Sequence, residues 1–298
     1  MCGVCGEVRF DGGPVDAAVL ASMRDRMRHR GPDAAGLYLS PTARAGLAFR
    51  RLKIVDLSDV ANQPMANEDG TVQLVFNGEI YNFLGLREDL VRRGHQFRSR
   101  SDTEVIVHLY EEYGPECIDK LDGMFAIAIW DNRCERLVLA RDRTGKKPLF
   151  YCHTGRQIVF ASEMKALFGR RDLDVRIDPH AIPAYFVYGY VPCPQTFYRG
   201  VRQVEPGSVV TVERDGTTSP RRFWRLTFPE VGGQDRPPVN RQAVKEKLRT
   251  LMTAAVERRL MSDVPLGAFL SGGVDSTIVV GLMSRLLDRP VKTFSIRS

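Results

Sequence analysis

The sequence contains no long hydrophobic run and few cysteines. Six irregularly spaced Cys in 298 residues are too few for the disulfide framework of a small secreted protein. No apolar run approaches the roughly 18 residues that span a bilayer. The start, MCGVCGEVRF, lacks a basic region followed by an apolar stretch. These absences exclude a disulfide scaffold and a helical membrane protein, and they predict reduced thiols and a cytoplasmic location.

No strong excess of one charge sign is present either. The 43 Lys and Arg outnumber the 36 Asp and Glu, which gives a formal charge of +7, but the basic residues are scattered. The basic stretch at 24–30 is more typical of ion pairs and solvated surface than of a nucleic-acid site. We therefore expect no nucleic-acid partner. With 43% hydrophobic residues the chain is an ordinary globular protein, long enough for about two domains.

Residues 1–225 carry many short β-like runs and a few helical patterns, which predict a first, layered domain. The predicted strands are 3–10, 45–49, 72–76, 124–130, 136–140, 148–152 and 158–161. The predicted helices are 16–27, 84–93, 103–113 and 179–188, with Ser101 or Asp102 as the cap of the third. The strand at 124–130 is apolar on both faces and needs a covering layer on each.

A Gly- and Pro-rich stretch at 226–240 predicts a linker to a second domain at 241–298. Beyond it we predict a helix at 244–260, a strand at 264–270, a loop at 271–276, a helix at 277–287 and a strand at 291–296. This order is the opening of a parallel sheet. Two strands cannot bury both of their faces, so we expect this α/β domain to be incomplete.

Cys2 is the first candidate for chemistry, because removal of Met1 would make it the N-terminal residue. A thiol beside its own α-amine, with a reference pKa of about 7.7 to 8.0, combines nucleophile and general base in one residue. On position alone, a small residue that starts a buried strand is the commoner interpretation. A redox or zinc role for Cys2 and Cys5 lacks a second CxxC or a His pair, and the five His show no cluster, so no metal site is predicted.

The segment FNGEIYN at 76–82 contains a second candidate pair, Asn77 and Gly78. A side-chain amide and an unobstructed glycine N–H are the donors that stabilise the oxyanion of an acyl transfer. Alone, Asn-Gly is more often a turn than a site.

These motifs belong to an ordered series that carries a resemblance. The blocks are CGV at 2–4, RHRGPD at 28–33, RLKIVD at 51–56, QPM at 63–65, FNGEIYN at 76–82, SDTEVI at 101–106, DGMFAIAIWD at 122–131, RDRTGKKPLFY at 141–151 and FASEMKAL at 160–167. Together they closely resemble the class II glutamine amidotransferase domain of glutamine-hydrolysing asparagine synthetases. The resemblance implies an α+β fold of the N-terminal nucleophile hydrolase type, with four αββα layers.

The resemblance also implies residue roles. Cys2 would attack the side-chain amide of glutamine, with its α-amine shuttling the proton, and Asn77 and Gly78 would form the oxyanion hole. Arg51 matches the arginine that holds the glutamine carboxylate, and Glu79 and Asp102 match the acidic positions near the α-ammonium. Backbone of 52–55 would line the pocket, through Leu52, Ile54 and Val55.

The second domain contains SGGVDS at 271–276 between a predicted strand and a helix. Glycine N–H groups, Ser hydroxyls and a helix N-terminus suit phosphate oxygens, although the Walker A pattern is absent. The segment resembles the pyrophosphate loop of ATP pyrophosphatases. That resemblance implies ATP with Mg²⁺, with Asp275 near the magnesium pyrophosphate and Leu270 and Ile296 beside the adenine. The implied ATP-binding residues are Leu270, Ser271, Gly272, Gly273, Asp275, Ser276 and Ile296.

The leading hypothesis is an asparagine synthetase truncated within its synthetase domain. Its parent would convert ATP, aspartate and glutamine to asparagine, AMP, pyrophosphate and glutamate, whereas this chain would retain glutaminase chemistry only and need no cofactor for it. One alternative is an amidotransferase for another carboxylate acceptor, of the cell-envelope type. β-Lactam-forming relatives generally lack the N-terminal nucleophile, so Cys2 argues against that type of acceptor. Another is a catalytically silent interaction module. A homodimer stays open.

Overall fold

The computed structural model describes residues 1–170, 172–228 and 240–296. The chain divides into two compact units, Met1–Arg225 and Leu226–Ser298. Most of the predicted linker at 226–240 lies outside the described residues. No described helix combines the length and the apolar character that crossing a membrane requires.

The first unit is built from short strands and helices. Its strands are β1 Gly3–Arg9, β2 Ala34–Leu39, β3 Ala45–Arg51, β4 Met65–Ala66, β5 Val72–Ile80, β6 Gly123–Asp131, β7 Arg136–Arg141, β8 Phe150–His153, β9 Gln157–Ala161, β10 Val201–Gln203, β11 Ser208–Val212 and β12 Thr218–Arg222. Its helices are α1 Ala17–Asp25, α2 Phe83–Arg92, α3 Glu104–Tyr113, α4 Met164–Leu167 and α5 Ala181–Tyr188, with 3-10 turns at Asp59–Ala61 and Gly114–Lys120.

The strands form two antiparallel six-stranded sheets. The first has the order β10-β8-β9-β1-β3-β2 and the second the order β12-β11-β7-β6-β5-β4. Between them lies a core to which β1 and β3 contribute Val4 and Phe49 and β6 contributes Ala126 and Trp130, each at most 1% exposed. The prediction that 124–130 is covered on both faces is confirmed, since Phe125 and its alternate neighbours are also fully buried.

Helices cover the outer faces of both sheets. On the first sheet, Leu20 and Met23 of α1 pack in one cluster with Cys5 and Ala161. The Asp16 side chain caps α1 by accepting hydrogen bonds from the first N–H groups of the helix. On the second sheet, α3 contacts β4 and β5. The predicted fold, four layers of α+β structure, is therefore confirmed.

The predicted strand at 72–76 extends further, since β5 runs through Ile80 and includes Asn77 and Gly78. The predicted cap of α3 is wrong. Asp102 does not cap α3, because its Oδ2 accepts the Ile80 N–H at 2.8 Å. The N-cap is Thr103, whose side chain makes no capping hydrogen bond, and Ser101 Oγ accepts the Thr103 N–H at 3.1 Å without being the cap.

The expectation that the histidines form no cluster is also wrong for two of them. His95 follows α2 and His108 lies on α3, and their ring centroids are 4.9 Å apart. The 12 residues between them in the sequence match no metal-ligand spacing, so only the packing of the two helices brings the rings together.

The second unit contains α6 Arg241–Glu257, β13 Gly267–Phe269, α7 Val274–Leu286 and β14 Lys292–Phe294. β13 and β14 pair in parallel, as the sequence predicts. The predicted loop at 271–276 is partly wrong, because α7 begins at Val274 with Gly273 as its N-cap.

Candidate active site

Cys2 lies one residue before a strand that is fixed on both sides. β1 pairs with β3 from Gly3 onward and with β9 from Cys5 onward. The Cys2 carbonyl accepts a hydrogen bond from Arg30 Nε at 2.8 Å, and its Sγ accepts the Leu52 N–H at 3.4 Å. These contacts hold the thiol in one position at the end of the sheet.

Strand alternation explains why Cys2 faces Arg51 and Asn77. Successive side chains on a strand point to opposite faces, so residues two apart share a face. Each of the three residues lies two positions from an apolar side chain of the core between the sheets, namely Val4, Phe49 and Val75. The thiol of Cys2, the guanidinium of Arg51 and the amide of Asn77 thus lie on the faces of the two sheets that meet.

These three side chains border a cavity of about 270 Å³. The nine residues predicted for the glutaminase site all line it: Cys2, Arg51, Leu52, Ile54, Val55, Asn77, Gly78, Glu79 and Asp102. Cys2 and Asp102 lie far apart in the sequence, and the folding of the two facing sheets brings them to one cavity. Its size suits a single amino acid.

The edge of β5 presents a row of backbone donors to this cavity. The Phe76 N–H donates to Gln63 Oε1 at 2.6 Å and the Ile80 N–H to Asp102 Oδ2 at 2.8 Å. Because N–H groups of alternate residues point to the same edge of a strand, the Gly78 N–H lies between these two on that edge. On the opposite side, Phe125 of β6 bonds through its backbone to Asp142 rather than to Gly78.

Gly78 is required by the approach of β6. A Cβ at this position would lie 2.1 Å from the Met124 carbonyl oxygen and 2.7 Å from a ring carbon of Phe76. The absent side chain also leaves the N–H at 78 open to the cavity. The glycine therefore serves packing and access at once.

Asn77 supplies the second donor. Its side chain is 1% exposed, and its Nδ2 has no hydrogen-bond partner among the described residues. A buried amide without a partner costs free energy, of order 1 to 3 kcal/mol, and nearly all buried polar groups are paired. An amide that lines a cavity in this state is suited to a ligand oxygen.

Arg51 is buried and is held by neutral acceptors. Its Nη1 donates to the Ser58 carbonyl at 2.7 Å and to Asn62 Oδ1 at 2.8 Å, and its Nη2 donates to the Val55 and Asp56 carbonyls. Burial lowers the pKa of Arg51, while nearby acidic groups, including Cys2, oppose that shift. A fixed, buried cation held by carbonyl oxygens suits a carboxylate ligand.

Asp102 and Glu79 place acidic groups on the same cavity. Asp102 is buried, and burial raises its pKa to about 7, with the Glu79 carboxylate adding to the rise and the Ile80 N–H opposing it. A ligand ammonium would relieve the cost of ionising a buried carboxyl. The cavity therefore carries a cation near one set of walls and carboxyl groups near another, a pattern that fits a zwitterionic amino acid.

Burial also raises the pKa of the Cys2 thiol. The Leu52 N–H, the charge of the chain terminus and Arg51 oppose this rise, in that order. The terminal ammonium, which here belongs to Met1, has its pKa lowered by burial. A lowered pKa increases the fraction of free amine, the form that accepts a proton at neutral pH.

Nine further residues line the cavity that the sequence did not point to, and two of them, Met1 and Lys147, bear on its chemistry. Lys147 is 7% exposed, and its Nζ lies 3.5 Å from Met1 Sδ. Burial lowers its pKa, whereas the Glu79 carboxylate raises it. The only signal in the sequence was its place in the block at 141–151, which separates it from Cys2 by more than 140 residues.

In the second unit the residues predicted for ATP lie around the start of α7. Ser271 Oγ contacts Ser276 Oγ at 3.1 Å, and the backbone at Gly272 has a φ of +83° that favours glycine. Asp275 lies in the first turn of α7. The Leu270 N–H donates to the Phe294 carbonyl at 2.9 Å.

Because β13 and β14 are parallel, their carboxyl ends share one edge. Leu270 follows β13 directly, and Ile296 lies two residues beyond β14, 89% exposed. The loop, the helix N-terminus and both apolar residues therefore lie at this edge, where α/β sheets bind ligands.

Known proteins are similar to this chain in sequence. The family model for a glutamine amidotransferase domain matches residues 1–224, and the model for asparagine synthase matches residues 247–298. Glutamine-hydrolyzing asparagine synthetase 1 of Bacillus subtilis (strain 168) is 38% identical over 93% of this chain and 42% of its own length. Asparagine synthetase 3 of the same organism is 35% identical over 99% of this chain and 48% of its own length. The chain thus spans about half the length of these curated relatives.

Two solved structures are similar in fold. The allosteric regulatory enzyme of purine biosynthesis matches with a TM-score of 0.55 at 20% identity, over 76% of this chain and 50% of that one. The glutamine phosphoribosylpyrophosphate amidotransferase of B. subtilis matches with a TM-score of 0.54 at 18% identity, over 99% of this chain and 65% of that one. At these identities the likeness concerns the fold alone.

Proposed function

Because the chain belongs to the glutamine amidotransferase domain family, we propose that its first unit hydrolyses glutamine to glutamate and ammonia, with Cys2 as the nucleophile. The observation that carries this proposal is the meeting of Cys2, Arg51 and the unpartnered amide of Asn77 around one cavity. The site first requires removal of Met1, which gives Cys2 a free α-amine.

Glutamine would bind through its two charged ends. Arg51 would hold the α-carboxylate, and Asp102 and Glu79 would hold the α-ammonium. Leu52, Ile54 and Val55 would line the remaining wall. This arrangement would direct the side-chain amide toward the thiol, since the thiol and both acidic groups border the same cavity.

The reaction would then proceed through an acyl-enzyme. The Cys2 α-amine accepts the thiol proton, and the sulfur adds to the amide carbon of glutamine. The negative charge that develops on the amide oxygen accepts hydrogen bonds from Asn77 Nδ2 and the Gly78 N–H. The ammonium of Cys2 returns the proton to the leaving nitrogen, and ammonia departs as a thioester forms. Water adds to the thioester by the same route, and glutamate and the free thiol result.

We propose that the ammonia serves an ATP-dependent amidation in the whole protein, with aspartate as acceptor and asparagine as product. The support is the asparagine synthase match at residues 247–298 and the loop at the start of α7. Ser271, Gly272, Gly273 and Ser276 would bind phosphate oxygens of ATP, and Asp275 would lie near a Mg²⁺. A nucleophilic thiol must stay reduced, which favours action in the cytoplasm.

Glutamate release by the purified chain tests the glutaminase. Mass spectrometry first establishes that Met1 has been removed. We expect glutamine-dependent release of glutamate that Cys2→Ala reduces by more than about 10³-fold. Cys134→Ala, which alters an exposed cysteine, is the matched control and should keep full activity. A processed chain that releases no glutamate, or a Cys2→Ala variant equal to it, would refute the proposal.

A further inference from the structure

A second group of ionisable side chains lies on α3 and on the segments that follow β4 and α2. Glu68 follows β4, His95 follows α2, and His108 and Glu111 are one turn apart on α3. One ligand atom from each of the four residues lies within 4.8 Å of all the others. Three separate segments of the chain thus bring two imidazoles and two carboxylates to one point.

These atoms lie close enough together to surround one ion. His108 Nδ1 lies 3.1 Å from Glu68 Oε2 and 3.2 Å from Glu111 Oε2. His95 Nδ1 lies 3.5 Å from Glu68 Oε1, the other oxygen of that carboxylate, and 3.7 Å from Glu111 Oε2. Metal–ligand bonds of about 2.0 to 2.2 Å require tetrahedral edges of roughly 3.3 to 3.6 Å. The four distances bracket that range, and side-chain rotation would bring one oxygen of Glu68 toward both imidazoles.

Neighbouring groups orient both carboxylates toward this point. Asn67 Nδ2 donates to Glu111 Oε1 at 2.8 Å, which leaves Oε2 facing the imidazoles. The Gln96 N–H donates to Glu68 Oε1 at 3.0 Å. Hydrogen bonds of this kind to the remaining ligand atoms are the usual supports of a metal site.

Both imidazoles also face a carboxylate on their far side. His95 Nε2 lies 3.1 Å from Glu112 Oε1, the arrangement of a carboxylate–histidine–metal triad. His108 is 1% exposed, and its Nε2 lies 3.8 Å from Glu104 Oε1 without a hydrogen bond. The Phe97 ring packs edge-on against His108 with centroids 4.6 Å apart and restricts the ring.

Charge favours a divalent ion at this point. The carboxylates of Glu68 and Glu111 could balance the charge of one divalent cation, which the imidazoles would bind through unprotonated nitrogens. Mixed nitrogen and oxygen ligands in tetrahedral geometry are typical of Zn²⁺. We propose that Glu68, His95, His108 and Glu111 bind a zinc-like divalent ion that fastens the residues after β4 and α2 to α3.

A chelator first removes any bound metal from the full chain. Titration of this chain with Zn²⁺, followed by calorimetry, tests the proposal. We expect one high-affinity site per chain and a higher melting temperature with Zn²⁺ bound. His95→Gln and Glu68→Gln should each weaken the affinity by more than about 100-fold, and Glu112→Gln by about 10- to 100-fold. His180→Gln alters an exposed histidine outside the cluster and serves as the matched control.

Substitution by Co²⁺ distinguishes this site from the cysteines. Ligation by nitrogen and oxygen should give tetrahedral d–d absorption without the thiolate charge-transfer bands that cysteine ligands produce. Absence of a one-to-one site, or equal affinity in His95→Gln and the unaltered chain, would overturn the proposal and leave an ion-pair cluster. Glutaminase activity, measured in parallel, reports on Cys2, so failure of either proposal is separable from the other.

Discussion

At the residue scale, Asn77 is a buried amide donor that lines the cavity and has no hydrogen-bond partner among the described residues. We expect Asn77→Ala to lower kcat for glutamine hydrolysis by about 10²- to 10³-fold with little change in KM, because the oxyanion exists only in the transition state. The free energy of unfolding should stay equal or rise, since the substitution removes an unpartnered amide. Steady-state kinetics and urea denaturation measure the two effects.

Asn77→Asp is the matched variant, because it keeps the shape of the side chain and removes the donor. It should lose kcat at least as strongly as Asn77→Ala. A large rise in KM with an intact kcat in either variant would show that Asn77 binds the substrate instead.

Asp102 gives a pH-dependent prediction at the same scale. Its pKa is about 7 in the folded chain, against 3.8 for the ordinary group, so the folded state retains the proton more strongly. The stabilisation from the protonated carboxyl is complete below about pH 4 and declines as pH rises toward 7. Asp102→Asn removes the cost of ionisation, and it should raise the free energy of unfolding by up to about 4 kcal/mol at pH 8. Urea denaturation at pH 4 and at pH 8 measures this difference.

At pH 4 the variant and the unaltered chain should be equally stable, which is the internal control for Asp102→Asn. The variant should also raise the KM for glutamine, because a neutral amide cannot pair with the ammonium. Destabilisation at pH 8 would mean that the hydrogen bond to the Ile80 N–H outweighs the cost of the buried charge.

At the element scale, the contact between β5 and β6 depends on Gly78. Gly78→Ala would place a Cβ 2.1 Å from the Met124 carbonyl, so we expect it to lower the free energy of unfolding by at least about 2 kcal/mol. Gly85→Ala on α2 is the matched control, because open space surrounds that position. It should raise stability by about 0.5 to 1 kcal/mol. Equal effects at the two positions, measured by urea denaturation, would contradict this account.

The sequence predicts those elements whose pattern is local. The strand at 124–130 and the helix at 16–27 are found with ends shifted by one or two residues, because apolar alternation and an Asp16 cap act over short distances. The strands β2, β4 and β10 to β12 were missed. The β12 segment TSPRR is mostly exposed and contains Pro, so only pairing with β11 makes it a strand.

The same distinction holds within the site. The cavity residues were named from a resemblance, whereas their common direction follows from β1 and β3 of one sheet facing β5 of the other, which no local pattern encodes. Asp102 was predicted as a helix cap because its position before α3 suits one. The longer-range hydrogen bond to the Ile80 N–H prevails, and the N-cap of α3 is Thr103.

At the scale of the whole molecule, the two units differ in how much they bury. Strand β6 lies inside a six-stranded sheet with side chains buried on both faces. β13 and β14 form a two-stranded sheet, and among the described residues of the second unit Met283 alone is buried. An isolated two-stranded sheet is marginally stable in water. Amide hydrogens of β13 and β14 should therefore exchange at least about 10³-fold faster than those of β6.

Hydrogen exchange followed by mass spectrometry measures this difference peptide by peptide. The strand β11, which is internal to its sheet within the first unit, is a control for strand length, since it has only five residues. Equal protection of β14 and β6 would show that the second unit is stabilised beyond its own buried contacts.

The fixed start of β1 has a practical consequence for anyone who produces the protein. Gly3 is already paired to Arg50, so after removal of Met1 only Cys2 would precede the first inter-strand pair, and an added N-terminal segment would have little room to bend away from the cavity. A purification tag fused ahead of Cys2 would both mask the amine and fill the entrance that Met1 now occupies. A purification tag should therefore be placed at the carboxyl terminus. Inactivity of an amino-terminally tagged preparation would not show that the processed chain lacks activity.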